Sequence, residues 1–238
     1  MKKLFMTAGM LIMSLVLVLS PIKAGAKEMT HAREECITKE ALALKEDMRR
    51  LWIDHAIWTK SYIVSSINGL ENQKELLARL LKNQDDIGNA IKPYYGEEAG
   101  NQLAELLRDH ILIAGKLTAA AKSGNQSDFK KFHAEWYKNA DDIAKFLSTA
   151  NPNWSEKELK EALYMHLQFI TDDVTARLKK DWNASILAFD KGLDHLLMMA
   201  DVLSAGIMKQ FPEKFYRQNQ VLINENSDSS VENRVLSE

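Results

Sequence analysis

Leu51-Trp52-Ile53-Asp54-His55 returns as Leu106-Leu107-Arg108-Asp109-His110 and again as Leu163-Tyr164-Met165-His166. The three histidines are 55 and 56 residues apart, and each stands on an apolar stripe of helical period. About thirty residues after each comes a second polar position. These are Asn83-Gln84-Asp85-Asp86-Ile87, then Asn139-Ala140-Asp141-Asp142-Ile143, then Leu193-Asp194-His195-Leu196. The pattern predicts a helical hairpin of roughly 55 residues written three times, at about 40–95, 96–152 and 153–212. In the third copy the reading puts Gly192 in the place of the asparagine and His195 in that of the second aspartate.

The stripes and stop signals between these landmarks predict six antiparallel helices. Thr38 reads as the N-cap of the first, which carries Leu44, Met48, Trp52, His55 and Tyr62 on one face and stops at Asn68-Gly69. A second covers about 71–91 and ends before Pro93, whose ring blocks continuation. The third spans about 97–122 up to Ser123-Gly124-Asn125, and the fourth about 127–149 up to Asn151-Pro152. Ser155-Glu156-Lys157-Glu158 reads as a capping box opening the fifth. A break near 180–183 precedes the last, which carries Leu187, Gly192, His195, Met199 and Val202 and ends before Pro212. Four prolines and ten glycines in 238 residues, with few β-branched runs, suit an all-α chain.

Residues 1–26 read as a secretory signal: Lys2 and Lys3, an apolar run, then Ala24-Gly25-Ala26 for cleavage. Residues 27–37 form a linker, 38–216 the helical domain, and 217–238 a polar tail around Asn224-Glu225-Asn226-Ser227-Asp228. The expectation is an extracytoplasmic protein with no membrane span after signal removal. The first 26 residues hold three of the 31 basic residues and none of the 33 acidic ones, so residues 27–238 carry a formal charge of −5. That balance argues against a nucleic-acid partner, which needs a basic face. Cys36 is the single cysteine, so an intrachain disulfide is excluded.

Polar groups on buried stripes admit two readings. In the first they form an internal hydrogen-bond network, with Asn83 and Asn139 serving the histidines. In the second they form a metal centre: His55, His110, His166 and His195, with Asp86 and Asp142, would suit iron, zinc or manganese. The chain has no paired Glu-x-x-His, no His-x-x-x-His and no His-Glu-x-x-His. Asp54, Asp109 and Asp194 each precede a histidine, and a step of one residue turns about 100° around a helix, which directs them elsewhere. Tyr94 and Tyr95, in the turn Pro93-Tyr94-Tyr95-Gly96, are expected to contact a partner at the cell surface. Nucleotide-binding glycine loops and Gly-x-Ser-x-Gly elbows are missing, so covalent catalysis is not expected.

With Leu51–His55, Asn83–Ile87 followed by Gly88-Asn89-Ala90-Ile91-Lys92-Pro93-Tyr94-Tyr95-Gly96, and Leu193–Asp201, the chain resembles exported all-helical proteins of spore-forming Gram-positive bacteria over about residues 45–215. The resemblance implies an exported helical fold and carries over no catalytic residue. The expectation is therefore a binding or structural protein, with a metal-dependent His/Asp protein as the alternative.

Overall fold

The computed structural model describes residues 38–216; the signal, linker and tail read from the sequence lie outside them. The described chain is all-α, and its six helices, five of them substantial, pack antiparallel. They are α1 (Lys39–Asn68), α2 (Gln73–Ser123), α3 (Gln126–Ala150), α4 (Glu156–Leu178), α5 (Trp182–Gln210) and the single turn α6 (Pro212–Phe215). None is long and apolar enough to cross a membrane.

Local chemistry sets the ends. Thr38 caps α1 by accepting from the Ala41 N–H at 3.2 Å. Gly69 and Gly124 close α1 and α2 in the left-handed region (φ 67° and 70°), which costs a residue without Cβ nothing. Asn125, Ser155 and Asp181 cap α3, α4 and α5. The capping box at α4 is half made. Ser155 Oγ accepts from Glu158 N–H at 3.4 Å, and no bond returns from the Glu158 carboxylate.

α2 is two arms, not one rod. Gly96 (φ 84°, ψ 171°) lies in a region open essentially to glycine alone, and the chain reverses there. Gly88 and Gly100 then face each other so closely that a Cβ on Gly88 would sit 2.4 Å from the Gly100 carbonyl oxygen. Arg108 reaches back to Asp85 at 3.2 Å. The expected stop before Pro93 falls instead at Gly96. Pro93 sits in the last turn of the first arm, where its missing N–H forfeits a single helical bond.

The arms 73–95 and 97–123, with α1, α3, α4 and α5, enclose one core. α5 comes home against α1, where Arg49 makes a two-pronged pair with Asp201 (2.5 and 2.7 Å). The α5 stripe differs from the sequence reading. Leu187 and Val202 are about half exposed, while Ser185, Ala188, Leu196 and Leu203 are buried beside Gly192 and Met199. Small residues, Ser185, Ala188 and Gly192, take the inward positions in the first half of α5, and Leu196, Met199 and Leu203 in the second.

Candidate functional site

Three histidines from three helices meet in the middle of the bundle. His55 of α1, His110 of the second α2 arm and His166 of α4 are 2, 3 and 5% exposed. Their rings lie in one row, His55 to His166 at 5.7 Å and His166 to His110 at 6.2 Å between centroids. Trp52 extends the row beyond His55 (5.5 Å) and Trp136 beyond His110 (5.1 Å). Burial, helped for His55 by its neighbour His110, pushes His55 and His110 down to about 4. His166 is also held well below the usual histidine value, by burial and then by the other histidines. All three imidazoles are therefore neutral at pH 7.

Amides fix the tautomers. His110 Nδ1 donates to Asn139 Oδ1 at 2.7 Å, and Asn139 Nδ2 donates to the Leu106 carbonyl at 3.0 Å. Gln84 Nε2 donates to His55 Nδ1 at 3.3 Å and to the Leu80 carbonyl at 2.8 Å. Asn83 Nδ2 donates to the Leu51 carbonyl at 3.0 Å. His195, half-buried, donates from Nε2 to the Ala162 carbonyl at 2.8 Å. For Asn83, Asn139 and His195 the accepting carbonyl lies four residues before a core histidine. His195 thus does the work of Asn83 and Asn139, not of an aspartate. The sequence already held the sign: 83, 139 and 195 are evenly spaced by 56.

The remaining expected ligands do not join this group. Asp86 pairs with Lys82 at 2.7 Å and Asp142 with Lys138 at 2.6 Å, both one helical turn along the surface. Their positions, three residues past Asn83 and Asn139, turn them off the buried stripe. Asp54 pairs with Arg79 at 3.2 Å, and Asp109 and Asp194 are exposed. Among the described residues no group of three or more histidine, cysteine or acidic side chains is arranged to hold a metal ion. His110 and His166 are stacked within 25° of parallel. His166 Nδ1 and Thr59 Oγ1 are buried without a protein partner beside a space of only about 20 Å³.

Tyr94 and Tyr95, expected to contact a partner, are half-buried and make contacts within the chain. Tyr94 stacks on Phe215 at 5.6 Å. Tyr95 donates from its hydroxyl to Gln210 Oε1 at 2.8 Å and accepts from Asn151 Nδ2 at 2.9 Å. Both tie the α2 turn to the C-terminal end of α5, where apolar rings gain more from each other than from water.

A polar cluster absent from the sequence reading joins α1, α4 and α5. Lys60 Nζ meets Asp173 Oδ1 at 2.7 Å and Ser185 Oγ at 3.0 Å, while Ser185 Oγ donates to the same aspartate at 2.5 Å. Ser185 is 2% exposed, out of reach of a substrate, and the trio clasps α1, α4 and α5 together.

A second feature lies toward the other end of the core. A cavity of about 270 Å³ is walled by Met48 and Trp52 of α1, Ile87 and Ile91 of the first α2 arm, and Leu103 and Leu107 of the second. Ile143 and Leu147 of α3, Leu159 and Leu163 of α4, and Met199, Leu203 and Ile207 of α5 complete the wall. Nearly all are buried, and every major helix contributes. Trp154 closes one side; it lies flat on Gly206, its Nε1 donating to the Val202 carbonyl at 3.2 Å. The opening is rimmed by Asn153, Ser155, Glu158, Met198 and Val202, all exposed. The sequence stripes turned Met48, Trp52, Leu103, Leu107, Leu159, Leu163 and Met199 inward but could not show that the side-chain volumes fall short of filling the ring.

No family model, curated protein or solved structure matches this chain.

Proposed function

We propose that this protein is a non-catalytic binding protein that takes an apolar small molecule into the cavity of its helical bundle. One observation carries the reading: a space of about 270 Å³, apolar on every wall, with an opening to solvent between α4 and α5. Well-packed interiors leave few voids larger than a water molecule. A cavity lined by aliphatic and aromatic groups is dry and gains free energy from any apolar guest that fits. An engineered void of about 150 Å³ holds benzene, so this one suits a guest of roughly eleven carbons.

n-Butylbenzene tests it. Saturating amounts should raise the thermal midpoint, because a ligand that binds only the folded state stabilises it by mass action. Leu163→Trp, which fills the cavity, should abolish the rise. An unchanged midpoint in the parent protein ends the proposal.

We place the protein outside the cytoplasm, on the signal-like residues 1–26. We also infer that its three hairpins descend from one repeated unit. The three bonds from positions 83, 139 and 195 to the carbonyls of residues 51, 106 and 162 support that descent.

A metal-binding reading comes second and rests on His166, whose buried Nδ1 lacks a protein partner beside two other imidazoles. Elemental mass spectrometry of protein purified without a histidine tag decides it. Near-stoichiometric zinc, iron or manganese lost in His166→Ala would carry this reading, and protein that neither holds nor takes up those ions would end it.

A further inference from the structure

We infer that the guest of the cavity is a single-chain amphiphile whose head group donates hydrogen bonds or is cationic, and that Glu158 at the opening selects it; this rests on the cavity reading above.

The opening carries the argument, because it is rich in acceptors. Asn153 gives both its backbone N–H and its side-chain N–H₂ to Asn151 Oδ1 (2.8 and 3.0 Å), which leaves its own amide oxygen to offer. The Glu158 carboxylate makes no return bond to its cap and no ion pair among the described residues. The nearby lysines are engaged elsewhere: Lys157 with Glu161 at 3.8 Å and Lys160 with Asp141 at 3.0 Å. Glu156 adds a second carboxylate on the same turn, with Lys160 as a charged neighbour. Met198 and Val202, each about half exposed, supply the apolar lip over which a chain enters.

Geometry and charge then divide the ligand. An alkyl chain of about ten carbons fills the dry interior by the volume argument above. Its polar end is best served at the rim, where the exposed polar side chains Asn153, Ser155 and Glu158 meet solvent. An ammonium or hydroxyl head there finds acceptors. A fatty-acid carboxylate instead meets the carboxylate of Glu158. In a solvent-exposed setting one unit charge at contact distance changes affinity by roughly fivefold, so attraction and repulsion together separate the two heads by at least about tenfold.

The test is a calorimetric titration at pH 7 and low salt of the full chain and its Glu158→Gln variant. The probes are n-butylbenzene, decylamine, 1-decanol and decanoate, all below their micelle-forming concentrations. Decylamine should bind at least about tenfold more tightly than decanoate, with 1-decanol between them, and Glu158→Gln should shrink the gap to about threefold or less. Equal binding of decylamine and decanoate, or a gap unchanged in Glu158→Gln, overturns the head-group inference while n-butylbenzene binding leaves the cavity standing. If n-butylbenzene also fails to bind, the cavity reading falls with it. Glu158 is exposed, so its variant folds without repacking, and helical circular dichroism checks that point.

Discussion

His110 hands its Nδ1 proton to Asn139 across 2.7 Å, and Asn139 hands its own amide proton to the carbonyl of Leu106, one turn before that histidine. The asparagine thus serves as acceptor and donor at once, and it locks α3 to the second arm of α2 in a single register. A buried amide so placed leaves little freedom to slide, because a shift of one residue would strand three polar groups away from water.

Removing that amide should be costly. Asn139→Ala strands the His110 Nδ1–H, at roughly 1–3 kcal/mol, and takes a second bond from the Leu106 carbonyl, which keeps its helical one. We expect a loss of about 3 kcal/mol in urea denaturation. Asn83→Ala should cost less, because His55 is bonded by Gln84 and only a second bond to the Leu51 carbonyl is lost. Equal losses at the two sites would show that the His110 bond adds nothing.

The histidine row makes the fold sensitive to acid. His55 and His110 titrate near 6.5 when unfolded and at about 4 when folded, so the unfolded chain takes up protons first as pH falls. Their contribution is complete above pH 6.5 and is lost as pH drops through the window from 6.5 to 4. Each shift corresponds to roughly 3 kcal/mol, and His166 adds to the same limb. Chemical denaturation between pH 7.5 and 4.5 should therefore show stability falling by several kcal/mol. His166→Phe should flatten that limb and cost little at pH 7, since it removes a buried nitrogen that has no partner. A pH-independent stability over that range would refute this account.

What was legible in the sequence was local. Thr38, Gly69, Gly124 and Ser155 mark helix ends because caps and positive-φ turns are decided by one or two residues, whereas Pro93 drew the eye from the true stop at Gly96. The core histidines were visible because a polar group on an apolar stripe has nowhere to go but inward. Asp86 and Asp142 were misplaced because membership of a recurring block does not fix which way a side chain turns; three residues past a buried asparagine is far enough to reach solvent and a lysine. The cavity and the Lys60 clasp were beyond reach for a different reason. Each depends on the spacing of helices 100 or more residues apart, which side-chain volumes set only after assembly.

The clasp itself makes an unequal pair of variants. Asp173 is 3% exposed and faces the Lys60 ammonium at 2.7 Å. Asp173→Ala leaves that cation and Ser185 unmatched in a low-dielectric site, and we expect a loss of about 3–5 kcal/mol. The double change Lys60→Met with Asp173→Leu should recover most of it, because apolar side chains of similar volume replace the pair without a stranded charge. A double variant no more stable than Asp173→Ala would mean that the pair itself, and not the stranded lysine, holds α1 to α4.

Three glycines should rank in a fixed order when changed to alanine. At Gly88 the new methyl meets the backbone oxygen of Gly100 at 2.4 Å and the Ala104 Cβ at 2.7 Å, so the two arms of α2 must separate. At Gly206 it meets the ring of Trp154 at 1.9 Å, and that ring can tilt outward only by giving up its bond to the Val202 carbonyl. At Gly96 nothing lies within 4 Å, and the penalty is the backbone alone, roughly 1–3 kcal/mol for an L-residue at φ 84°. Overpacking costs typically 1–3 kcal/mol and more where backbone must move, which places Gly88→Ala above the other two in urea denaturation. Gly206→Ala carries a second signature, since a displaced Trp154 unroofs the cavity: n-butylbenzene should then raise the thermal midpoint less than in the parent. If Gly206→Ala instead leaves both the tryptophan emission and that rise unchanged, Trp154 is not the wall that closes the cavity.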